Sequence, residues 1–321
     1  MNVAQIYCTL DELIDDLGLV GNQPRLFDRI QSASRFLYRR VGQFIQTVEA
    51  RDYQGNGSTS QIVDPLLSVT SITNNGATIT DYDLFPLNGY WESGPSTRIE
   101  ADVSWDVVVV TGSWGKYSET ESLGENVSQT SNATTLVVAD GSKVSPGMVL
   151  LIESEQELVT GWGTASAAVS QLDGDVGEAD EEITVDDGTE FHAGEVIQLS
   201  TEDCYIRMIR GDVLVVGRGW NGTTKQAHLS NAAIAVNRTV VVTRAVNGTT
   251  AAAHTNQALN RYIPPEDVNW LCREMAGLAF KKAQSGFSGK VGNAELGETF
   301  YYNEFPGQIK EVKANYRITQ L

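Results

Sequence analysis

Residues 218–228 read RGWNGTTKQAH, and residues 244–254 read RAVNGTTAAAH. The second string repeats the first 26 positions later: Arg, then Asn-Gly-Thr-Thr, then Ala-His. A second pair lies upstream. Leu136-Val-Val, Asp140-Gly-Ser, Gly147-Met-Val and Glu155 recur 47 positions later as Ile183-Thr-Val, Asp187-Gly-Thr, Gly194-Glu-Val and Glu202. Self-similarity at a fixed offset marks a duplicated supersecondary unit. The order along the chain is first half, first half, second half, second half, whereas a tandem array would alternate them. One copy is therefore nested in the other. The first half at 136–161 pairs with the second half at 239–254, around an intact inner copy at 183–228. Asn-Gly between valine-rich strands is turn chemistry at positive φ. A copy of a few strands does not easily bury its own face. The expectation is a small β-barrel or sandwich of two intertwined copies with pseudo-two-fold symmetry.

On either side of this unit the pattern changes. Thr9 followed by Glu12 is a capping box that opens a short helix to about Leu17, with Gly18 and Gly21 ending it. Pro24 suits the first turn of a longer helix. Leu26, Ile30, Ala33, Leu37, Val41, Phe44 and Val48 share one of its faces. Arg25, Arg29, Arg35, Arg39 and Arg40 occupy the others, as a solvated face or as a contact to an acidic neighbour or passing DNA. Residues 50–115 read as strands, with a hairpin signal at Asn75-Gly76 and a buried strand at Val107–Val110. Further on, Pro264-Pro265-Glu266-Asp267 starts a helix with Val268, Leu271, Cys272, Met275 and Ala279 on one stripe. A last helix after Pro306 carries Ile309, Val312 and Tyr316. Neither helical end is long enough to bury a core alone. The expected fold class is α+β: a helical core made from both chain ends with a β-hairpin region (1–115 plus 262–321), carrying an inserted all-β domain of nested repeats (116–261).

Composition narrows the class. With 321 residues, 41% of them hydrophobic, and six Trp, eleven Tyr and nine Phe, the chain can fill packed cores. The longest apolar run, around Val107–Val110, is far short of the ~20 residues that span a bilayer. The segment MNVAQIYCTLDELIDD has no basic stretch leading into an apolar one, so no secretory signal is expected. Cys8, Cys204 and Cys272 are scattered and form no CxxC pair, which argues against a disulfide framework or structural zinc and fits reduced thiols. The net charge of −18 is unevenly spread: −6 over 1–118, −13 over 119–260 and +1 over 261–321. Such a chain is repelled by phosphates at long range, so sequence-specific DNA binding is disfavoured.

Several short motifs occur in a fixed order. Arg51-Asp52-Tyr53-Gln54-Gly55 follows the long helix. Then come Ser68–Ile72 (SVTSI), Asp81–Pro86, the strand ending Val109–Gly112, the Pro-Pro-Glu-Asp helix start, and Tyr301-Tyr302, Pro306 and Tyr316-Arg317. In this order the chain resembles the head–tail connector (adaptor) proteins of tailed bacteriophages, over roughly residues 1–115 and 262–321. Residues 116–261 go beyond that pattern. The resemblance implies a structural virion protein of the neck, assembled in the host bacterial cytoplasm. It implies a homo-oligomeric ring, usually a dodecamer, that joins the portal protein to the tail or to a stopper or nozzle protein. Double-stranded DNA would pass through it in packaging and ejection without sequence recognition, and no membrane is involved. The candidate portal or ring contacts are Arg35, Arg39, Arg40, Phe300, Tyr301, Tyr302, Tyr316 and Arg317.

Two other classes of function compete with this one. A β-rich binding module, an adhesin or carbohydrate binder on a virion or cell surface, would use Trp162, Trp220, Trp91 and Trp114 for stacking. It leaves the helical ends unexplained. An enzyme is not expected: there is no nucleophile elbow, HExxH, dinucleotide turn or Cys/His cluster, and no cofactor is implied. Gly286-Phe-Ser-Gly289-Lys290 does not have the P-loop spacing and reads as a loop between helices. His228 and His254 would bind a metal only if symmetry brought them together, and closing their own loops is the favoured role. The acidic run from Asp173 to Glu182 lacks the EF-hand ligand order and reads as a solvated linker. Arg210-Gly211-Asp212 spells an integrin-type tripeptide and reads as a turn.

Overall fold

The computed structural model describes residues 3–22, 25–87, 89–91, 94–284, 290–291, 300–301 and 305–318. Helix α1 (Leu10–Leu17) has the capping box read from the sequence. The Thr9 hydroxyl accepts from the Glu12 amide at 3.3 Å, the Glu12 carboxylate accepts from the Thr9 amide at 2.8 Å, and left-handed Gly18 ends the helix. Helix α2 (Leu26–Val41) buries Leu26, Ile30, Ala33, Leu37 and Val41 along one stripe. It is shorter than the expected span to Val48. Gly42 takes φ 117°, a region that side chains with a Cβ avoid, and this stops the helix. Phe44 is still buried, from the connection that follows. Pro24 lies outside the described residues.

Strands β1 (Thr47–Gln54), β2 (Ser60–Asn74), β3 (Ala77–Ile79), β4 (Asp83–Phe85), β5 (Ser96–Glu100) and β6 (Val107–Trp114) form the first antiparallel sheet. Its order is β1-β6-β2-β5-β4, with β3 on β2. Asn75 and Gly76, at φ 50° and 79°, turn the β2–β3 hairpin. Alternate residues of β6 point inward, and Val108, Val110 and Trp114 join Val63, Leu66, Ile72, Ile99 and Trp105 in a core of their own.

The nested duplication is explicit in the next two sheets. The outer copy begins with β7 (Thr120–Gln129), β8 (Thr135–Val137), β9 (Val149–Ile152) and β10 (Glu155–Trp162). The inner copy follows entire: β11 (Ser170–Gln171), β12 (Glu182–Thr184), β13 (Val196–Leu199), β14 (Glu202–Arg210), β15 (Val213–Trp220) and β16 (Ala233–Val236). Then β17 (Thr239–Thr243) and β18 (His254–Tyr262) return to the outer copy. The outer sheet runs β7-β18-β9-β10-β17-β8 and the inner sheet β11-β16-β13-β14-β15-β12. Position by position the two orders coincide, with β17 in the place of β15 and β18 in the place of β16. One expectation fails here. Each copy buries its own face, because strands that lie beyond the matched strings (β7, β11 and β16, and β18 after His254) complete a six-stranded sheet. The outer core gathers around Leu150, Ile152, Val159 and Val240. The inner core gathers around Ile197, Ile206, Val216 and Ile234.

Helix α3 (Glu266–Gln284) starts after the paired prolines, and β19 (Lys290–Val291) pairs with β20 (Phe300–Tyr301) ahead of α4 (Phe305–Asn315). Most of the glycine-rich stretch 286–297 lies outside the described residues. The expected fold class, a helical core with an inserted β domain, is overturned. Strand exceeds helix, 40% against 22%, in three antiparallel six-stranded sheets with four α-helices among the described residues. Nor do the helices close a core by themselves. Leu13, Leu26, Ile30, Leu37, Leu271 and Phe280 pack in one cluster with Val149, Leu158, Val246 and Tyr262 of the outer copy. The helical stripes are too narrow to enclose one another, and outer-copy residues close the remainder.

Candidate functional sites

The residues repeated in the sequence converge in each copy on one buried carboxylate. In the inner copy Arg218 donates to Glu202 through Nε at 2.7 Å and Nη2 at 2.8 Å, a bidentate pair with both side chains fully buried. His228 Nε2 lies 2.9 Å from Glu202 Oε2, and the amides of Gly219 and Gln226 donate at 3.1 and 3.0 Å. In the outer copy Arg244 Nε donates to Glu155 at 2.9 Å, His254 Nε2 lies 2.9 Å from the same carboxylate, and the Ala245 and Ala252 amides donate at 3.3 and 2.9 Å. Burial alone would raise the pKa of Glu202. The Arg218, His228 and Gln226 hydrogen bonds outweigh it and hold the carboxyl at about 2. Glu155 is held low by the same balance. Each carboxylate has its lone pairs committed, so neither is free to act on a substrate. These triads are latches.

Arg218 Nη1 donates to the carbonyls of Gly177 and Asp180 at 3.0 and 2.9 Å, and Nη2 donates to the Gln226 carbonyl as well. The acidic run is thereby fastened to the inner sheet by its backbone and is not a free linker there. Arg210-Gly211-Asp212 is the β14–β15 turn. Arg210 pairs with Glu182, and Asp212 accepts the Gly188 amide at 2.9 Å. His228 and His254 belong to separate triads with separate partners, so the idea of a shared metal between them is overturned.

The repeated asparagines both hold the start of the chain. Asn247 is fully buried. It accepts the Ala4 amide at 2.8 Å, donates to the Ala4 carbonyl at 3.2 Å and donates to Gln156 at 2.9 Å. Its counterpart Asn221 accepts the Asn22 amide at 2.9 Å and donates to Asp203 at 3.0 Å. The two copies thus grip the segment before α1 and the segment after it. Between them the Leu10 amide donates to the Pro146 carbonyl at 2.8 Å.

The copies are not equivalent. Glu157 stands where the inner copy has Cys204, and Glu153 where it has Ser200. His254 Nδ1 consequently lies 2.8 Å from Glu153. Burial raises the pKa of Glu157 against the pull of Arg244, and Glu155 adds to the rise. Glu155, Glu157 and His254 place ligand-type atoms within 4.8 Å of one another, as do Asp140, His192 and Glu195. An arginine already supplies positive charge at each: Arg244 for the first, and Arg238 for the second, 2.7 Å from Glu195.

The candidate contacts scatter. Arg35, Arg39 and Arg40 are exposed on α2, where the Arg40 guanidinium lies over the Phe36 ring at 5.4 Å. Tyr316 faces inward: its hydroxyl donates to Asp267 at 3.0 Å and its ring meets Phe44 and Trp91 edge-on at 5.0 and 5.6 Å. Arg317 is exposed and lines an open groove of about 690 Å³ with Lys116, Lys310 and Lys313. Tyr302 and the side chains of Phe300 and Tyr301 lie outside the described residues. Of the four tryptophans offered as a stacking surface, Trp114 is buried under Arg51 and Trp91 packs on Tyr316. Trp162 and Trp220 line a cavity beside α1. Lys116, which donates to the Val41 carbonyl at 2.6 Å, is a groove residue the sequence reading missed; a lone lysine in a turn carries no signal.

A scan against protein-family models finds no match, and searches of the curated proteins and of the solved structures find none either.

Proposed function

We propose that this chain is a structural protein of a tailed-bacteriophage neck. Its copies form an adaptor ring between portal and tail, with DNA passing through the lumen unrecognised by sequence. The observation that carries the reading is the ordered set of motifs at the two chain ends, from Arg51-Asp52-Tyr53 to Tyr316-Arg317. Helices α1–α4 meet in one cluster, but Val149, Leu158 and Val246 of the outer copy complete it, so residues 116–261 belong to that core. Two exposed features suit contacts between acidic subunits. One is the α2 face with Arg35, Arg39 and Arg40 beside the exposed Phe36 and Tyr38; the other is the Lys310, Lys313, Arg317 groove. The net charge of −18 favours DNA that slides over DNA that sticks. No catalytic step belongs to this reading.

Light scattering and negative-stain imaging of the full chain over rising concentration test the proposal. Closed rings with a mass many times 34.9 kDa are expected. Replacing Arg35, Arg39 and Arg40 together by Glu should disperse them. A particle that stays at 34.9 kDa at every concentration, with or without the Arg face, counts against the reading.

A further inference from the structure

Where α1 meets both copies of the repeat, a cavity of about 200 Å³ remains. Helix α1 contributes Asp11 and Asp15, the outer copy Trp162, and the inner copy Tyr205 and Trp220. The Tyr205 and Trp220 rings are stacked, with centroids 4.6 Å apart and planes 19° from parallel. No Lys, Arg or His is among the residues that line the space. Neither Asp11 nor Asp15 forms an ion pair among the described residues, although the next carboxylate, Asp16, is paired with Arg273 at 2.9 Å.

We propose that this cavity binds an organic cation, the guanidinium or ammonium head of an arginine or lysine side chain presented by a partner protein. Two unpaired carboxylates on one wall supply the opposite charge, and aromatic rings on the other walls supply π-faces that attract a partly desolvated cation. The size suits the head and end of one long side chain. A phosphate or carboxylate ligand would meet two like charges with no compensating base.

The electrostatics of the empty cavity point the same way. Asp11 and Asp15 are both exposed to solvent at the mouth of the cavity, and it is the crowding of the Asp11 carboxyl by the cavity wall that raises it to about 6, against the hydrogen bond from Ser145. Asp15 and Glu12 on its own helix add to the rise. From the facing sheet Tyr205 is the titratable neighbour, and its hydroxyl is pushed up by burial and by both aspartates. A bound cation would reverse this penalty and displace the Asp11 proton. Binding is therefore strong above the raised pKa and weak below it. The site does not depend on the neck reading, and its test does not require a ring.

The test titrates the full chain with Nα-acetyl-argininamide, followed by tryptophan fluorescence and by amide chemical shifts. Saturable binding at about pH 8, weakened about tenfold at about pH 5, is expected. Calorimetry at about pH 6 in buffers of different ionisation enthalpy should detect proton release on binding. The double variant Asp11→Asn/Asp15→Asn should lose about tenfold in affinity or more while its thermal unfolding is unimpaired, since the change relieves a like-charge pair. Glucose is the arm for a neutral, stacking ligand. Absence of saturation, binding indifferent to pH and to the double variant, or glucose binding as well as the cation would each overturn the proposal.

Discussion

Arg218 and Glu202 meet through two parallel hydrogen bonds of 2.7 and 2.8 Å, both side chains fully buried, and Arg244 and Glu155 repeat the pair in the outer copy. A buried ion pair is weak evidence for net stability, but losing one partner strands the other. Arg218→Met should cost about 3–5 kcal/mol in urea unfolding. Arg218→Met with Glu202→Leu should recover a good part of that loss. A double variant as unstable as the single one would show that the latch, with its bonds to the Gly177 and Asp180 carbonyls, matters more than the stranded charge.

The same carboxylate sets an acid limit. The folded pKa of Glu202, about 2, lies below its ordinary value of 4.5. A depressed carboxyl stabilises the fold above the unfolded pKa, and that contribution is lost as pH falls through the window between the two values. Stability should therefore fall between about pH 5 and pH 2. Glu202→Gln should flatten that slope while lowering stability at neutral pH. Urea midpoints measured across the window check this.

Asn247 and Asn221 are counterparts with unequal burdens. Asn247→Ala removes three hydrogen bonds in a fully buried place and should cost about 1–3 kcal/mol. Asn221→Ala removes two hydrogen bonds at a half-buried site and should cost less. Hydrogen exchange at the Ala4 amide should speed up in the first variant and stay unchanged in the second.

Cys8 and Cys272 lie with sulfurs 3.2 Å apart, and the Ser34 hydroxyl is 3.2 Å from Cys272. The hydrogen bond to Cys272 and burial both raise the Cys8 thiol well above its ordinary value. A buried thiol of raised pKa is a poor nucleophile. Alkylation of the native chain at neutral pH should be slow at all three cysteines, and should become fast at all three in denaturant. Rapid labelling of Cys8 in the native chain would contradict this packing.

The nesting of the repeat was legible because both strings keep their offsets, and the structure returns them as two sheets of one strand order. The Asn75-Gly76 hairpin and the Thr9–Glu12 capping box were legible for a local reason: the residues that signal them also make the bonds. The triads were half visible. Arg218, His228 and Glu202 all stand in repeated strings, but the strings lie in different halves, and only strand pairing brings the charge together. The balance of helix and strand was misread because apolar stripes announce that a helix is buried and say nothing about what covers it. Val149, Leu158, Val246 and Tyr262 cover it here. The cavity beside α1 was legible only in part: Trp162 and Trp220 stand out as stacking residues, but nothing in their spacing joins them to Asp11, and only the fold brings the three segments together.

The neck assignment is tested most directly by locating this chain in assembled particles, with gold-labelled antibodies against the full chain and electron microscopy of intact virions and of particles with detached tails. Label confined to the junction of head and tail is predicted. Particles that carry none of the chain, or that carry it on the capsid shell or on fibres alone, would contradict the assignment.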